Sequence, residues 1–226
     1  MSNMGRYPHI LEPSVNSHRQ TITLPLALLL SAAICARLPF SDLQTSAGAE
    51  SMVLHSVRCA LPFFLIAFTA SSIAILWPSR LSHWLLRNRR SFGLAFAAGM
   101  AWHLGFVAYF MLGFHKHLNR LALTTDFIGL GFLVALTATS FPSVARRLPR
   151  NWWRHLHKAG VYAIWLLASY IYLLNVHYSR DLVHVAALGI LILAWCLRAA
   201  AWLQSLRRPH HSSSRGAMEA PPPPTA

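Results

Sequence analysis

Six predominantly apolar runs of sixteen to twenty-three residues follow one another along this chain, and they leave few options for its fold. They are Ile22 to Leu38, Val57 to Trp77, Phe92 to Phe114, Asp126 to Phe141, His157 to Val176 and Leu182 to Leu203. About twenty such residues wound into a helix cross the hydrocarbon of a bilayer. Lipid cannot satisfy an open backbone, so runs of this kind are expected as helices. Prolines at Pro25, Pro62, Pro78 and Pro142 fall near the ends of the runs, where a helix need not continue. The expected fold is therefore an all-α, polytopic membrane bundle of about six transmembrane helices over residues 22–204. A segment of 1–21 precedes it and a polar, proline-rich tail of 205–226 follows. Of the 226 residues 55% are apolar and only 12% charged, a balance that suits lipid.

The formal charge of +14 would suggest a nucleic-acid partner in a soluble chain. Here the arginines sit in short clusters between the apolar runs, where they orient a membrane protein. Thirteen lysines and arginines lie on one face of the implied topology, among them Arg80, Arg87, Arg89, Arg90, Arg146, Arg147, Arg150 and Arg154. The opposite face has three, Lys116, Arg120 and Arg180. This asymmetry places both termini in the cytoplasm and argues against nucleic acid as a partner. Cys35, Cys59 and Cys196 have neither zinc-site nor disulfide spacing and read as packing residues. The N-terminus does not read as a cleavable signal. No Gly-rich phosphate loop or hydrolytic triad is visible, so any chemistry must lie inside the bundle.

One residue stands out there. His103 lies in the middle of the third run, thirteen residues past Arg90 and about 20 Å along a helix. An ionisable side chain within a membrane span marks a functional site by default. His157, three residues past Arg154, lies close to the cytoplasmic surface, and the position best matched in depth to His103 on the fifth run is Tyr170. His177 falls level with His115 and His117 at the outer edge, where interfacial placement accounts for them. Asp126, opening the fourth run, reads as an interfacial or N-cap residue.

These residues also carry a resemblance. "RRSFGL" followed by "MAWH", the "ALTATS" run at Ala135 to Ser140, and "ARRLPRNWWRHLHKAGVYA" occur in the order and spacing of the ferric reductase-like transmembrane domain. Within it, the chain is most similar to the haem membrane subunit of the periplasmic methionine sulfoxide reductase system, the MsrQ type. The resemblance covers roughly Leu54 to Trp202. It implies that His103 is the haem ligand of the third helix and His157 the first histidine of the fifth. The family's next histidine, thirteen residues on, corresponds to Tyr170 here. Three arrangements follow from that departure. Tyr170 ligates iron itself, or His103 pairs with His157 or His177 after a helix distortion, or the fold has lost its haem. Arg89 stands where flavin-linked relatives carry an inner histidine, a feature shared with the MsrQ type. A second frame pairs His103 with His157 and His117 with Tyr170.

As the resemblance would have it, the protein is an electron-transfer subunit of an oxidoreductase in the bacterial inner membrane, holding one haem b or two as its metal centre. Its donor would be the quinol pool or a cytoplasmic flavin reductase, with quinone or FMN contributed by the partner. Its acceptor would be a periplasmic reductase subunit or ferric iron. Two other classes compete: a haem-less membrane scaffold or assembly factor of the same fold, and a small transporter relaying protons through His103 and Asp126. The latter lacks the inverted repeats and broken helices common in transporters.

Overall fold

The computed structural model describes residues 22–115, 120–179 and 181–207. Lys116, His117, Arg180, the N-terminal segment and the tail beyond Arg207 lie outside them. Among the described residues there are helices and turns but no strand. The longer helices among them are α1 (Thr23–Cys35), α2 (Ser46–Leu76), α3 (Arg80–Gly113), α4 (Arg120–Ser140), α5 (Arg150–Ser179) and α6 (Leu182–Arg207). A 3-10 turn at Leu38–Phe40 and a single helical turn at Pro142–Ala145 complete the connections. Five segments are long and apolar enough to cross a membrane, namely α1 with its following turn, α2, α3, α5 and α6; the apolar stretch of α4, Asp126–Ser140, is shorter. The chain is a multi-pass helical membrane protein. Its outward side chains agree, since Leu28, Leu29, Leu166, Ile192 and Leu193 are all exposed, and so broad an apolar surface suits contact with lipid.

Several helices start well before the apolar runs. α3 begins at Arg80, twelve residues ahead of Phe92, because Ser79 and Ser82 form a reciprocal capping box. α2 begins at Ser46, where the Thr45 hydroxyl accepts from the Gly48 amide. As a result Pro62 lies inside α2 and not near its end, a position tolerated in membrane helices. Asp126 is likewise no cap: α4 starts at Arg120, so Asp126 sits nearly two turns in. Arg37, inside the first apolar run, follows the end of α1 and donates to the Ser51 hydroxyl.

The helices close into a ring. α3 packs on α2, α2 on α6, α6 on α5, and α5 on α4, while α4 returns to α3 through a sparser seam. α1 lies outside, against α3 and α2, tied by hydrogen bonds from Trp102 to Ser31 and from Thr23 to Ser91. One end of the ring is rich in arginine, with Arg87, Arg89, Arg90, Arg146, Arg147, Arg150 and Arg154. Every acidic residue among the described ones, Asp42, Glu50, Asp126 and Asp181, lies toward the other end.

The core occupies the middle of the ring and shares Leu61, Phe64, Phe96 and Tyr172 with the cavity described below. Phe64, Phe68 and Phe96 meet Leu61, Tyr172 and the small stripe Ala187, Leu191 and Ala194 of α6. That stripe recurs at intervals of three and four residues, so α6 presents one flat face to α2. Small residues there let helices approach closely, which is how packing is gained in lipid. Trp165 stacks on Phe68 and donates its indole N–H to the Leu191 carbonyl. Arg198 continues the stripe: its guanidinium donates to the Phe68 carbonyl at 2.6 Å and the Tyr162 hydroxyl at 3.2 Å and lies over both rings.

Candidate functional site

In the acidic half the ring encloses a cavity of about 220 Å³. Its lining is helical stripes: Leu54, Val57, Arg58, Leu61 and Phe64 from α2, and Phe96, Met100, His103, Leu104 and Val107 from α3. α4 adds Asp126 and Leu130, α5 adds Leu167, Tyr172 and Asn175, and α6 adds His184. Repeats of three and four residues on each helix are what turns a bundle interior into a continuous wall. The wall is mostly apolar and carries six polar side chains.

His103 is held by α2. Its Nδ1 lies 3.1 Å from the Val53 carbonyl and 3.3 Å from the Ser56 hydroxyl. That hydroxyl already donates its own proton to Val53 at 2.8 Å, so both oxygens are acceptors toward the ring. Nδ1 must then carry the imidazole proton, which leaves Nε2 as the basic nitrogen. A backbone carbonyl fixing Nδ1 while Nε2 faces a site is how metal-binding histidines are oriented.

A second polar group gathers at the cavity's edge. Arg58 Nη2 lies 3.4 Å from His184 Nε2 and 3.6 Å from Asp181, which is also 3.6 Å from His184 Nδ1. Asp181 accepts the Val183 amide and so opens α6 at the depth of Arg58. Two donors in this wall, Arg58 Nε and Tyr172 OH, are buried without a hydrogen-bond partner among the described residues. Tyr172 is only 5% exposed and its ring lies 6.0 Å from that of His184. Buried orphan donors are uncommon in a finished interior.

The four residues singled out from sequence are not brought together. His103 alone lines the cavity. Tyr170, expected to face it, is 37% exposed and points away. Two residues make about 200° of helix, so Tyr172 takes the inward side. His157 stands by the arginine-rich end: its Nε2 lies 3.0 Å from the Thr139 hydroxyl, which donates onward to Ala135. Trp153 packs on the His157 ring at 4.3 Å and donates to the Thr139 carbonyl, making this a clasp between α4 and α5. His177 is exposed in the last turn of α5, edge-on to Tyr178. Asp126 is exposed and lines the cavity. His117 lies outside the described residues.

Sequence reasoning passed over His184, Arg58 and Tyr172. The signal for His184 is present, since it stands three residues ahead of Ala187 in the buried stripe that runs on through Leu191, Ala194 and Ala201. The signal for Arg58 is a lone charge one residue into an apolar run. Tyr172 differs from Tyr170 only in which face of α5 it occupies.

The residues can be tested against a b-type haem. His103 Nε2 would offer the iron a nitrogen, apolar walls would suit a macrocycle, and the orphan donors Arg58 and Tyr172 would suit its carboxylates. Ligand sites commonly measure roughly 300–1,000 Å³. At about 220 Å³ the cavity is smaller than such a site. The donors suit a haem, but the volume and the Asp126 carboxylate in the wall do not. Among the described residues no cluster of three or more His, Cys, Asp or Glu could hold a bare metal ion. No family model matches the chain, and no solved structure matches it.

Proposed function

We propose that this protein is a membrane-embedded b-type haem electron carrier, with His103 holding the iron. The observation that carries the reading is the pinned tautomer of His103, whose Nδ1 is committed to Val53 while Nε2 is left for an apolar cavity ringed by five helices. When bound, a haem supplies a one-electron ferric/ferrous couple. The chain's own part is to orient one nitrogen, exclude water with leucines and phenylalanines, and balance carboxylates with Arg58 and the Tyr172 hydroxyl.

On this reading six helices span a bacterial inner membrane with both termini in the cytoplasm, following the arginine asymmetry. The resemblance to the ferric reductase-like domain supports an outward route for electrons, from a quinol or flavin donor to a periplasmic reductase subunit or ferric iron. A haem-less scaffold is the second reading, favoured by the small cavity volume.

The test is the dithionite-reduced minus oxidised spectrum of the full chain purified in detergent from haem-replete cells. A b-type signal that disappears in His103→Ala supports the carrier. A folded wild-type protein without a Soret band rejects it and leaves the scaffold.

A further inference from the structure

A second pocket of about 220 Å³ lies toward the acidic end, where the chain leaving α1 meets the start of α2, and it is bordered by Arg37, Glu50, Ser51, His55 and Arg58. The two helices are firmly joined beside it. Ile34 of α1 and Met52 of α2 share one buried cluster, and His55 turns its Nε2 to the Ala33 carbonyl at 3.2 Å. Arg37 donates to the Ser51 hydroxyl at 3.1 Å, which leaves that hydroxyl its own proton to donate. Both ion pairs among the described residues belong to Asp181, so neither Arg37 nor Glu50 is ion-paired there. Arg58 reaches Asp181 at 3.6 Å, but its buried Nε has no hydrogen-bond partner among the described residues. The two guanidiniums also come at one boundary. Arg37 is the last residue but one of the first apolar run and Arg58 the second residue of the next, where hydrocarbon gives way to headgroups. Basic residues at this end run against the arginine asymmetry, and two beside one pocket call for an explanation.

We infer that this pocket receives the phosphoethanolamine headgroup of a membrane phospholipid. Arg37, Arg58 and the Ser51 hydroxyl donate to the phosphodiester oxygens, and Glu50 accepts from the ammonium. Guanidiniums match phosphate oxygens in charge and in geometry, and basic pockets between membrane helices hold lipid headgroups. The order of charges selects the headgroup. Glu50, Leu54 and Arg58 recur every four residues along one face of α2, which sets the carboxylate about 12 Å nearer the helix start than Arg58. Positive charge therefore stands at the hydrocarbon boundary and negative charge toward water. A phosphoethanolamine is the complement, with its phosphate on the glycerol and its ammonium reaching outward. A phosphoglycerol brings nothing for Glu50 to accept, and a choline has no N–H to give it. Arg58 borders the central cavity as well, whereas Arg37 and Glu50 border this pocket alone, so its occupancy requires nothing of the haem reading.

The experiment is native mass spectrometry of the full chain, delipidated in detergent and then given phosphatidylethanolamine, phosphatidylglycerol or phosphatidylcholine with matched acyl chains. The wild type should retain phosphatidylethanolamine above the other two. Arg37→Gln should cut that retention about tenfold, the worth of one charge-assisted hydrogen bond. Arg58→Gln should do the same, and the exposed Arg37 decides the matter should the Arg58 variant fail to fold. Glu50→Gln should still hold lipid but bring phosphatidylglycerol level with phosphatidylethanolamine. Arg87→Gln, at the arginine-rich end, should change nothing. Inorganic phosphate and glycerophosphoethanolamine, added at the lipid's own concentration, should leave the lipid in place. Displacement by inorganic phosphate makes this a free-anion site and overturns the headgroup assignment, as does a wild-type preference for phosphatidylglycerol. Equal retention of the three lipids, or unchanged retention in Arg37→Gln, is what interfacial snorkelling alone produces and overturns the site.

Discussion

Arg198 of α6 has no acidic neighbour in contact among the described residues, and it is held by aromatic faces and a carbonyl. The Phe68 and Tyr162 rings lie 4.5 and 5.0 Å from its guanidinium carbon. Desolvated cation–π contacts contribute about 2 kcal/mol, and a charged hydrogen bond about 1.5–3 kcal/mol. Arg198→Ala is therefore expected to lower stability by about 2–4 kcal/mol, read as a fall in the thermal unfolding midpoint in detergent. Arg198→Lys should lose part of this, since an ammonium cannot reach carbonyl, hydroxyl and both rings together. A second residue-scale prediction separates a clasp from a ligand. His157 is partnered by Thr139 and Trp153, so Thr139→Val should cost about 1 kcal/mol while haem content per protein stays unchanged. Loss of haem with stability intact would instead make His157 a ligand.

Close approach of elements is set by particular glycines. A Cβ on Gly99 of α3 would lie 2.9 Å from the Ala60 Cβ of α2 and 2.7 Å from Leu30 of α1. Leu30 can swing, but Ala60 cannot, so Gly99→Ala should cost about 1–3 kcal/mol through overpacking. Gly105, six residues along the same helix, meets nothing within 4 Å, and Gly105→Ala should be neutral or add about 0.5–1 kcal/mol. Comparing the two unfolding midpoints checks whether α1, α2 and α3 meet as described. The helices themselves were legible in hydropathy, and their early starts were signalled by Thr45, Ser79 and Ser82. Which face of each helix turned inward was harder to read. In lipid the outer face is as apolar as the inner one, so Tyr170 and Tyr172 look alike until the small stripe of α6 fixes the ring. His103 was legible because a lone imidazole in an apolar run needs a partner. His184 was not, because it stands at a helix start where polar residues are ordinary.

At the scale of the whole molecule, charge divides the bundle into an arginine-rich end and an acidic end. The Thr139 clasp lies toward the arginine-rich end and Arg58 and His184 toward the acidic end, while core and cavity share Leu61, Phe64, Phe96 and Tyr172 between them. On the proposed orientation the cavity would lie nearer the outer face. The orientation behind this is testable without any cofactor. With Cys35, Cys59 and Cys196 replaced by serine, single cysteines at Gln44, in the connection before α2, and at Ser205, near the end of α6, mark opposite ends. In spheroplasts a membrane-impermeant maleimide should label Gln44→Cys directly and Ser205→Cys only after permeabilisation. Replacing Arg87, Arg89 and Arg90 together with glutamine should weaken the bias and let both sites label in part, since basic residues beside span ends set topology and acidic ones contribute little. The reverse labelling pattern would turn the bundle over and put the cavity at the cytoplasmic face, where a carrier would receive electrons instead of releasing them.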